Sequence, residues 1–183
     1  MSYRVRPGRA GDAPLLGDIE RAAAQRFATV GLERIARGRP TSAAEYLEVA
    51  AQGHLWVVET AEGQAVGVAI ADRLDGGAYL AEIAVHPGHA GRRLAARLIA
   101  EIEKQAAAEG CRRLFLTTFD AVPWNRPYYE KLGFAVLAED EAGPQLRAIR
   151  AGERKRGLDN ISPRVCMVKP IGEGLKRPWP SGA

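Results

Sequence analysis

The sequence predicts an α/β fold, in the α+β sense, built on a mixed, mostly antiparallel sheet that ends in a parallel pair of strands. Three observations carry this. The valine-rich runs Leu55 to Thr60 and Ala65 to Ala71 are separated only by Ala61 to Gln64 with its Gly63, which is a hairpin pattern. From Arg92 to Glu109 the apolar positions Leu94, Ala95, Leu98, Ile99 and Ile102 recur at helical spacing. The apolar run Arg113 to Phe119 follows that helix. A strand reached through a crossover helix lies parallel to the strand before it, here Ala78 to Val85.

The other elements follow in order. Tyr3 to Arg6 alternates as a short strand, Asp12 stands where a helix N-cap belongs, and Leu15, Leu16, Ile19 and Ala23 continue at helical spacing to Arg26. Phe27 to Pro40 has no clean period and holds Gly31, Gly38 and Pro40, so it reads as a loop or broken turn before a second helix over Ser42 to Ala51. Asp75, Gly76 and Gly77 make a turn, and Pro87 ends the strand Ala78 to Val85 because its missing N–H cannot continue a ladder. Gly110 sits at the C-cap position of the long helix. Asn125 to Leu132 reads as a short helix stopped by Gly133, Phe134 to Ala138 as a strand, and Val165 to Lys169 as the last strand. Between them Gly143 to Arg156 carries Leu146 and Ile149 among many arginines, the pattern of a half-buried basic helix.

A chain of 183 residues with 46% apolar content fits one core, expected over residues 1–169, with a flexible Gly- and Pro-rich tail over 170–183. No apolar stretch approaches the roughly 20 residues that cross a bilayer, and Met1 to Ala13 is polar and charged, so the expectation is a cytoplasmic protein with no membrane partner. Cys111 and Cys166 lack the spacing of a zinc site or disulfide framework and read as reduced core residues, while His54, His86 and His89 show no metal-ligand repeat. The net charge of +4 is uneven: Leu146 to Ala183 carries nine Lys or Arg against Glu153, Asp159 and Glu173. With Trp179 as its one aromatic, that stretch reads as a solvated basic face rather than a nucleic-acid surface.

His86 to Arg93 reads HPGHAGRR and joins a strand to a helix. The unpaired N–H groups and the positive dipole end of the helix make an anion site there. Gly88 and Gly91 let the main chain approach a pyrophosphate, and Arg92 and Arg93 add charge.

Val122 to Phe134 reads VPWNRPYYEKLGF, in which Asn125 can cap a short helix, Pro127 fits its first turn and Gly133 ends it. With this motif the chain resembles the GNAT superfamily of acetyl-CoA-dependent N-acetyltransferases from Tyr3 to about Lys169. The run Tyr128-Tyr129-Glu130-Lys131-Leu132-Gly133-Phe134 is close to the family's aromatic-Tyr-Glu-x-Leu-Gly-Phe pattern. The family's phosphate signature, Q/R-x-x-G-x-G/A, falls on Ala90, Gly91, Arg92, Arg93, Leu94 and Ala95, with Ala90 replacing Gln or Arg and Arg93 replacing a glycine.

The resemblance implies a GNAT fold with splayed parallel strands four and five and helices on both faces. It implies acetyl-CoA as co-substrate with no metal, a primary-amine acceptor that is a small molecule, and the homodimer that family members often form. It places the pantetheine arm along Ile83, Ala84 and Val85, one of whose N–H groups polarises the thioester carbonyl. Asn125 would contact the cofactor and Tyr129 would sit near its sulfur. A tyrosine, with a pKa near about 10, stays protonated at neutral pH and can donate to a leaving thiolate, so Tyr129 is the candidate general acid. Tyr128 reads as the packing residue. Glu82 points opposite to Ile83, where family members often carry a base, and is the candidate base. His86 and His89 read as polar loop residues. Two other readings stay open: a non-catalytic acyl-CoA-binding module, and a protein- or ribosome-associated acetyltransferase using the basic C-terminal stretch.

Overall fold

The computed structural model describes residues 2–172. They form two compact units, one made by the chain up to Asp72 together with Leu80–Ile102, the other by Arg73–Tyr79 and the chain from Glu103 on. In chain order the elements are β1 (Tyr3–Pro7), α1 (Ala13–Ala24), α2 (Glu33–Ala36), α3 (Ala43–Ala51), β2 (Leu55–Thr60), β3 (Ala65–Leu74) and β4 (Gly77–Val85). They continue with α4 (Leu94–Ala108), β5 (Arg113–Phe119), α5 (Arg126–Lys131), β6 (Ala135–Leu137), α6 (Pro144–Lys155) and β7 (Arg164–Pro170). The seven strands follow the order β1-β2-β3-β4-β5-β7-β6. Strands β1 to β3 pair antiparallel, as do β5 with β7 and β7 with β6. Strands β4 and β5 run parallel, as the crossover helix requires.

In the first unit, Leu16 and Ile19 of α1 and Tyr46 of α3 bury against Leu55 and Val57 of β2, Val68 of β3 and Ala84 of β4. The turn that the sequence places at residues 27–40 is two short helical pieces, a 3-10 segment over Gln25–Val30 and then α2. Helix α3 starts where Ser42 and Glu45 cap each other: the Ser42 hydroxyl accepts from the Glu45 N–H at 3.3 Å, and the Glu45 carboxylate accepts from the Ser42 N–H at 2.7 Å. Asp12 does precede α1, but its carboxylate is held by the Arg6 guanidinium in two bonds of 2.8 Å, and it makes no helix cap.

In the second unit, Tyr79, Phe115, Leu137, Leu146, Cys166 and Val168 form the core. The turn before β4 takes left-handed geometry at Asp75 and Gly76, with φ of 50° and 72°, as a two-residue hairpin needs. A Cβ at Gly77 would stand 2.8 Å from the Arg113 carbonyl oxygen, so β5 admits only glycine there. Both cysteines are free and buried, and burial pushes the Cys166 thiol up to about 11, which keeps it unreactive. The expected tail begins at Pro170, but Pro170 closes β7 and Ile171 is buried; residues 173–183 lie outside the described residues.

Helix α6 departs from the simple basic amphipath. Leu146 is buried as expected, yet so are Arg150 and Glu153, at 3% and 4% exposure. Arg150 bonds Glu153 and, at 2.9 Å and 3.0 Å, Asp159; Arg164 bonds Glu153 at 2.8 Å; and the Thr117 hydroxyl donates to Glu153 at 2.6 Å. Burial works to raise the Glu153 carboxyl, but the Arg164 charge and these bonds outweigh it and hold the group below the usual carboxylate range. Because the folded value is depressed, its stabilisation is fully present above the unfolded value near about 4.3 and fades as the pH falls below it. Glu153→Gln removes the carboxylate shared by two guanidinium groups, leaving Arg150 with Asp159 and Arg164 with Thr117. Its denaturant midpoint at pH 7 is expected to report a loss of about 3 kcal/mol or more. The gap between variant and wild type should narrow toward pH 3, and a gap constant from pH 7 to pH 3 would contradict this assignment.

Candidate functional site

In the first unit the loop over residues 86–93 follows directly on the end of β4. Ala84 turns into the core, while Ile83 and Val85 are half-buried. The ladder to β3 extends one residue further, with the His86 N–H donating to the Val66 carbonyl at 2.8 Å. His86 then accepts the Gly88 N–H on its Nδ1 at 3.2 Å, and Pro87–His89 make a single 3-10 turn. Tyr3 and His89 share a hydrogen bond of 3.0 Å that fastens this turn to β1. One Arg92 nitrogen donates to the carbonyls of Gly88 and Ala90 at 3.3 Å and 3.4 Å, drawing those acceptors toward the guanidinium.

The next residues explain the glycine of the phosphate signature. Gly91 and Arg93 both have left-handed backbones, with φ of 76° and 56°. The helix therefore begins at Leu94, two residues after Arg92, where the sequence reading starts it. Nothing lies within 4 Å of where a Cβ on Gly91 would stand, so the main chain is open at that point. Ala90, Gly91, Arg92 and Arg93 are exposed, Ala95 is half-buried, and Leu94 is 2% exposed, so Leu94 can offer a ligand its N–H but not its side chain.

Glu82 is half-buried on the same face of β4 as Ala84, and its carboxylate accepts the Ile83 N–H at 3.1 Å. Beyond it the structure brings together two residues that the sequence did not mark. Tyr46, fully buried, donates its hydroxyl to Glu20 of α1, and Glu20 also accepts the Thr41 N–H at 2.8 Å. A tyrosine among the apolar positions of α3 was the only available signal.

In the second unit Asn125 precedes α5, but the expected side-chain cap is absent. The Asn125 carbonyl accepts from the N–H groups of Tyr128 and Tyr129 at 2.9 Å and 3.0 Å, while its side-chain amide donates to the Thr118 hydroxyl at 2.8 Å. The carbonyl begins the helix, and the side chain fastens the turn to β5. Arg126 bonds Asp120 at 2.6 Å and Glu130 at 2.8 Å, fixing α5 to the end of the same strand. Gly133, with φ of 90°, reverses the chain so that the Phe134 N–H returns to the Tyr129 carbonyl at 3.1 Å. The Tyr129 ring meets Tyr128 and Phe134 edge-on, each at 5.7 Å. Tyr128 and Tyr129 are both half-buried, so burial alone does not separate a packing residue from a reactive one.

Among the described residues no group of three or more His, Cys, Asp or Glu is placed to hold a metal ion, and no helix is long and apolar enough to cross a membrane. A groove of about 340 Å³ against α1, lined by Asp18, Arg21, Arg39 and Thr41 among others, contains none of the candidate site residues.

The acetyltransferase (GNAT) family model matches residues 22–134. Among solved structures, a PaiA N-acetyltransferase from Thermoplasma acidophilum in complex with coenzyme A is 16% identical with a TM-score of 0.67, over 93% of this chain and 100% of that one. A ribosomal-protein alanine N-acetyltransferase from Escherichia coli is 17% identical with a TM-score of 0.64, over 97% and 99%. The N-acetylglutamate synthase of Neisseria gonorrhoeae, complexed with coenzyme A and N-acetyl-glutamate, is 19% identical with a TM-score of 0.67, over 94% of this chain and 36% of that one.

The left-handed backbone at Arg93 gives a direct test of the loop. A residue with a Cβ is strained there by about 1 kcal/mol, and glycine is not. Arg93→Gly is expected to unfold at a denaturant concentration equal to or above that of the wild type. Arg93→Ala, which keeps the strain and loses the guanidinium, should fall about 1 kcal/mol below Arg93→Gly. Equal stability of the two variants would show that the position is not left-handed.

Proposed function

Because the chain belongs to the acetyltransferase (GNAT) family, we propose that it transfers an acetyl group from acetyl-CoA to the primary amine of a small molecule, by direct attack in a ternary complex. The observation that carries this reading is the loop between β4 and α4, with its left-handed Gly91 and Arg93 in front of a helix N-terminus. The acetyltransferase domain we assign runs over residues 1–169. The small-molecule acceptor is favoured by the likeness to an enzyme solved with N-acetyl-glutamate.

The residues present fit such a co-substrate. The exposed main chain of Ala90 to Arg93 and the first N–H groups of α4 at Leu94 and Ala95 would hold the pyrophosphate, with Arg93 adding charge. The main chain of Ile83, Ala84 and Val85 would hold the pantetheine arm, and Asn125 would bear on the cofactor beside α5. Acetyl-CoA supplies an acyl group activated by a thiol leaving group. Glu82 takes the proton of the incoming ammonium, which frees the nitrogen lone pair for attack. Its bond to the Ile83 N–H keeps that carboxylate on the strand assigned to the acyl donor. Tyr129 gives its hydroxyl proton to the sulfur as the carbon–sulfur bond breaks, and its ring is fixed by Tyr128 and Phe134. A second reading, a module that binds acyl-CoA without turnover, is favoured by one feature, the bulky Arg93 where the family carries glycine.

Two measurements test this. At a hundredfold its dissociation constant a ligand stabilises the folded chain by about 2.7 kcal/mol, so millimolar acetyl-CoA should raise the melting temperature by several degrees. No rise would sink the proposal. In a screen of small amines that follows CoA release, Tyr129→Phe should slow turnover about a hundredfold or more while leaving the acetyl-CoA melting shift in place. Equal release by variant and wild type would remove Tyr129 as the acid, and a melting shift without release by either would establish the binding module.

A further inference from the structure

The two threonines near the end of β5 face opposite sides of the strand, and they hold different things. Thr117 donates its hydroxyl to the buried Glu153 carboxylate at 2.6 Å. Thr118 is 3% exposed, and its hydroxyl accepts the Asn125 side-chain amide at 2.8 Å. Asn125 is bonded through its main chain as well. Its N–H donates to the Val122 carbonyl at 2.9 Å, and its carbonyl accepts from the N–H groups of Tyr128 and Tyr129 at 2.9 Å and 3.0 Å. One bond to Thr118 therefore fixes the residue from which α5 starts, and Tyr129 is carried on that helix.

We propose that Thr118 is a positioning residue for Tyr129: through the Asn125 amide it holds the start of α5 against β5, and so sets where the tyrosine stands. This rests on the reading of Tyr129 as the acid. Helix α5 has six residues and no side-chain cap, and a helix that short does not hold its shape alone, so its place depends on its ties to the sheet. The Arg126 ion pairs with Asp120 and Glu130 join side chains that are all more than a third exposed, where such pairs contribute little. The contacts of the Tyr129 ring with Tyr128 and Phe134 stay within the same short segment. The Thr118 bond differs, because its acceptor is buried in a strand whose ladder with β7 runs on to Phe119 opposite Arg164. Just beyond, the Asp120 N–H donates to the Pro163 carbonyl at 2.9 Å. The anchor is thus rigid where the helix is not. Proton transfer needs donor and acceptor within about 3 Å of each other, so a turn displaced by about an ångström slows that step.

The test compares two variants of the full chain: Thr118→Val, which keeps the side-chain shape and loses the hydroxyl, and Thr118→Ser, which keeps the hydroxyl. Amide hydrogen exchange is followed by NMR without ligand at Tyr128 and Tyr129, whose N–H groups end on the Asn125 carbonyl. Thr118→Val is expected to speed exchange there about tenfold relative to the strand amides of β5, and Thr118→Ser to leave it within about twofold of the wild type. No acceleration, or one shared equally by the strand amides as a merely structural threonine would give, overturns the proposal. Should Thr118→Val fail to fold, Asn125→Ala removes the same bond from its other end and must speed the same two amides, an unchanged rate again overturning it. With saturating acetyl-CoA and a small-amine acceptor, kcat should fall about tenfold in Thr118→Val and recover in Thr118→Ser. A kcat that is unchanged in Thr118→Val while Tyr129→Phe slows turnover also overturns the proposal. A wild type that transfers no acetyl group refutes the enzymatic reading, and the exchange at Tyr128 and Tyr129 then still decides whether Thr118 places Tyr129.

Discussion

Two neighbouring strands that run parallel cannot be joined by a hairpin, and that constraint governs the chain between Val85 and Arg113. The chain has to leave β4, reverse, and return through a helix before β5 can begin. The reversal is made in eight residues, His86 to Arg93, and it needs left-handed backbone at Gly91 and Arg93. Glycine adopts that geometry without cost, whereas arginine is strained in it. The same reversal puts the start of α4 against a main chain that stays open to a ligand. The connection demanded by topology and the main chain proposed to hold the pyrophosphate are thus one piece of backbone.

The second unit is organised by charge that it encloses rather than displays. Tyr79 shares a hydrogen bond of 3.2 Å with Thr117, Thr117 donates to Glu153, and Glu153 is gripped by Arg150 and Arg164. Arg164 also lies over the Phe119 ring at 4.6 Å. Buried ions are stable only when each finds a partner, and here β4, β5, α6 and β7 each supply part of the set. The arrangement fixes where α6 docks between β6 and β7 in the chain. A purely apolar face on α6 could slide along the sheet; a guanidinium with assigned partners cannot.

What the sequence revealed follows from the range of the interactions involved. The hairpins, the long helix and the α5 motif depend on neighbours a few residues apart, and Gly63, the Asp75–Gly76 pair and Gly133 mark their turns directly. The start of α4 was placed at Arg92 because arginine is an ordinary helix former, and nothing in an arginine announces the positive φ of Arg93. Asn125 was legible as a cap residue, yet Thr118 on the adjacent strand competes for its amide and wins. Arg150 and Glu153 read as surface charges on a basic helix because their partners, Asp159, Arg164 and Thr117, come from other elements. Glu20 and Tyr46 stand 26 positions apart, and no local pattern joins them.

The same long-range pairings decide how the basic C-terminal stretch should be understood. Counted from the sequence, it offers a positive field of the kind that binds phosphates. In the folded chain Arg150 and Arg164 are turned inward, Arg154 is doubly bonded to Glu139 at 2.8 Å and 2.6 Å, Arg147 donates to the Ala142 carbonyl, and Lys169 bridges to Glu103 at 2.6 Å. A nucleic-acid surface draws its affinity from exposed cations that release counterions, each bound phosphate adding to the salt dependence. Cations already engaged by carboxylates and carbonyls contribute little to such a term. Among the described residues most of the positive charge in this stretch therefore fastens α6 and β7 to their surroundings, and the functional argument returns to the loop before α4 and the turn around α5.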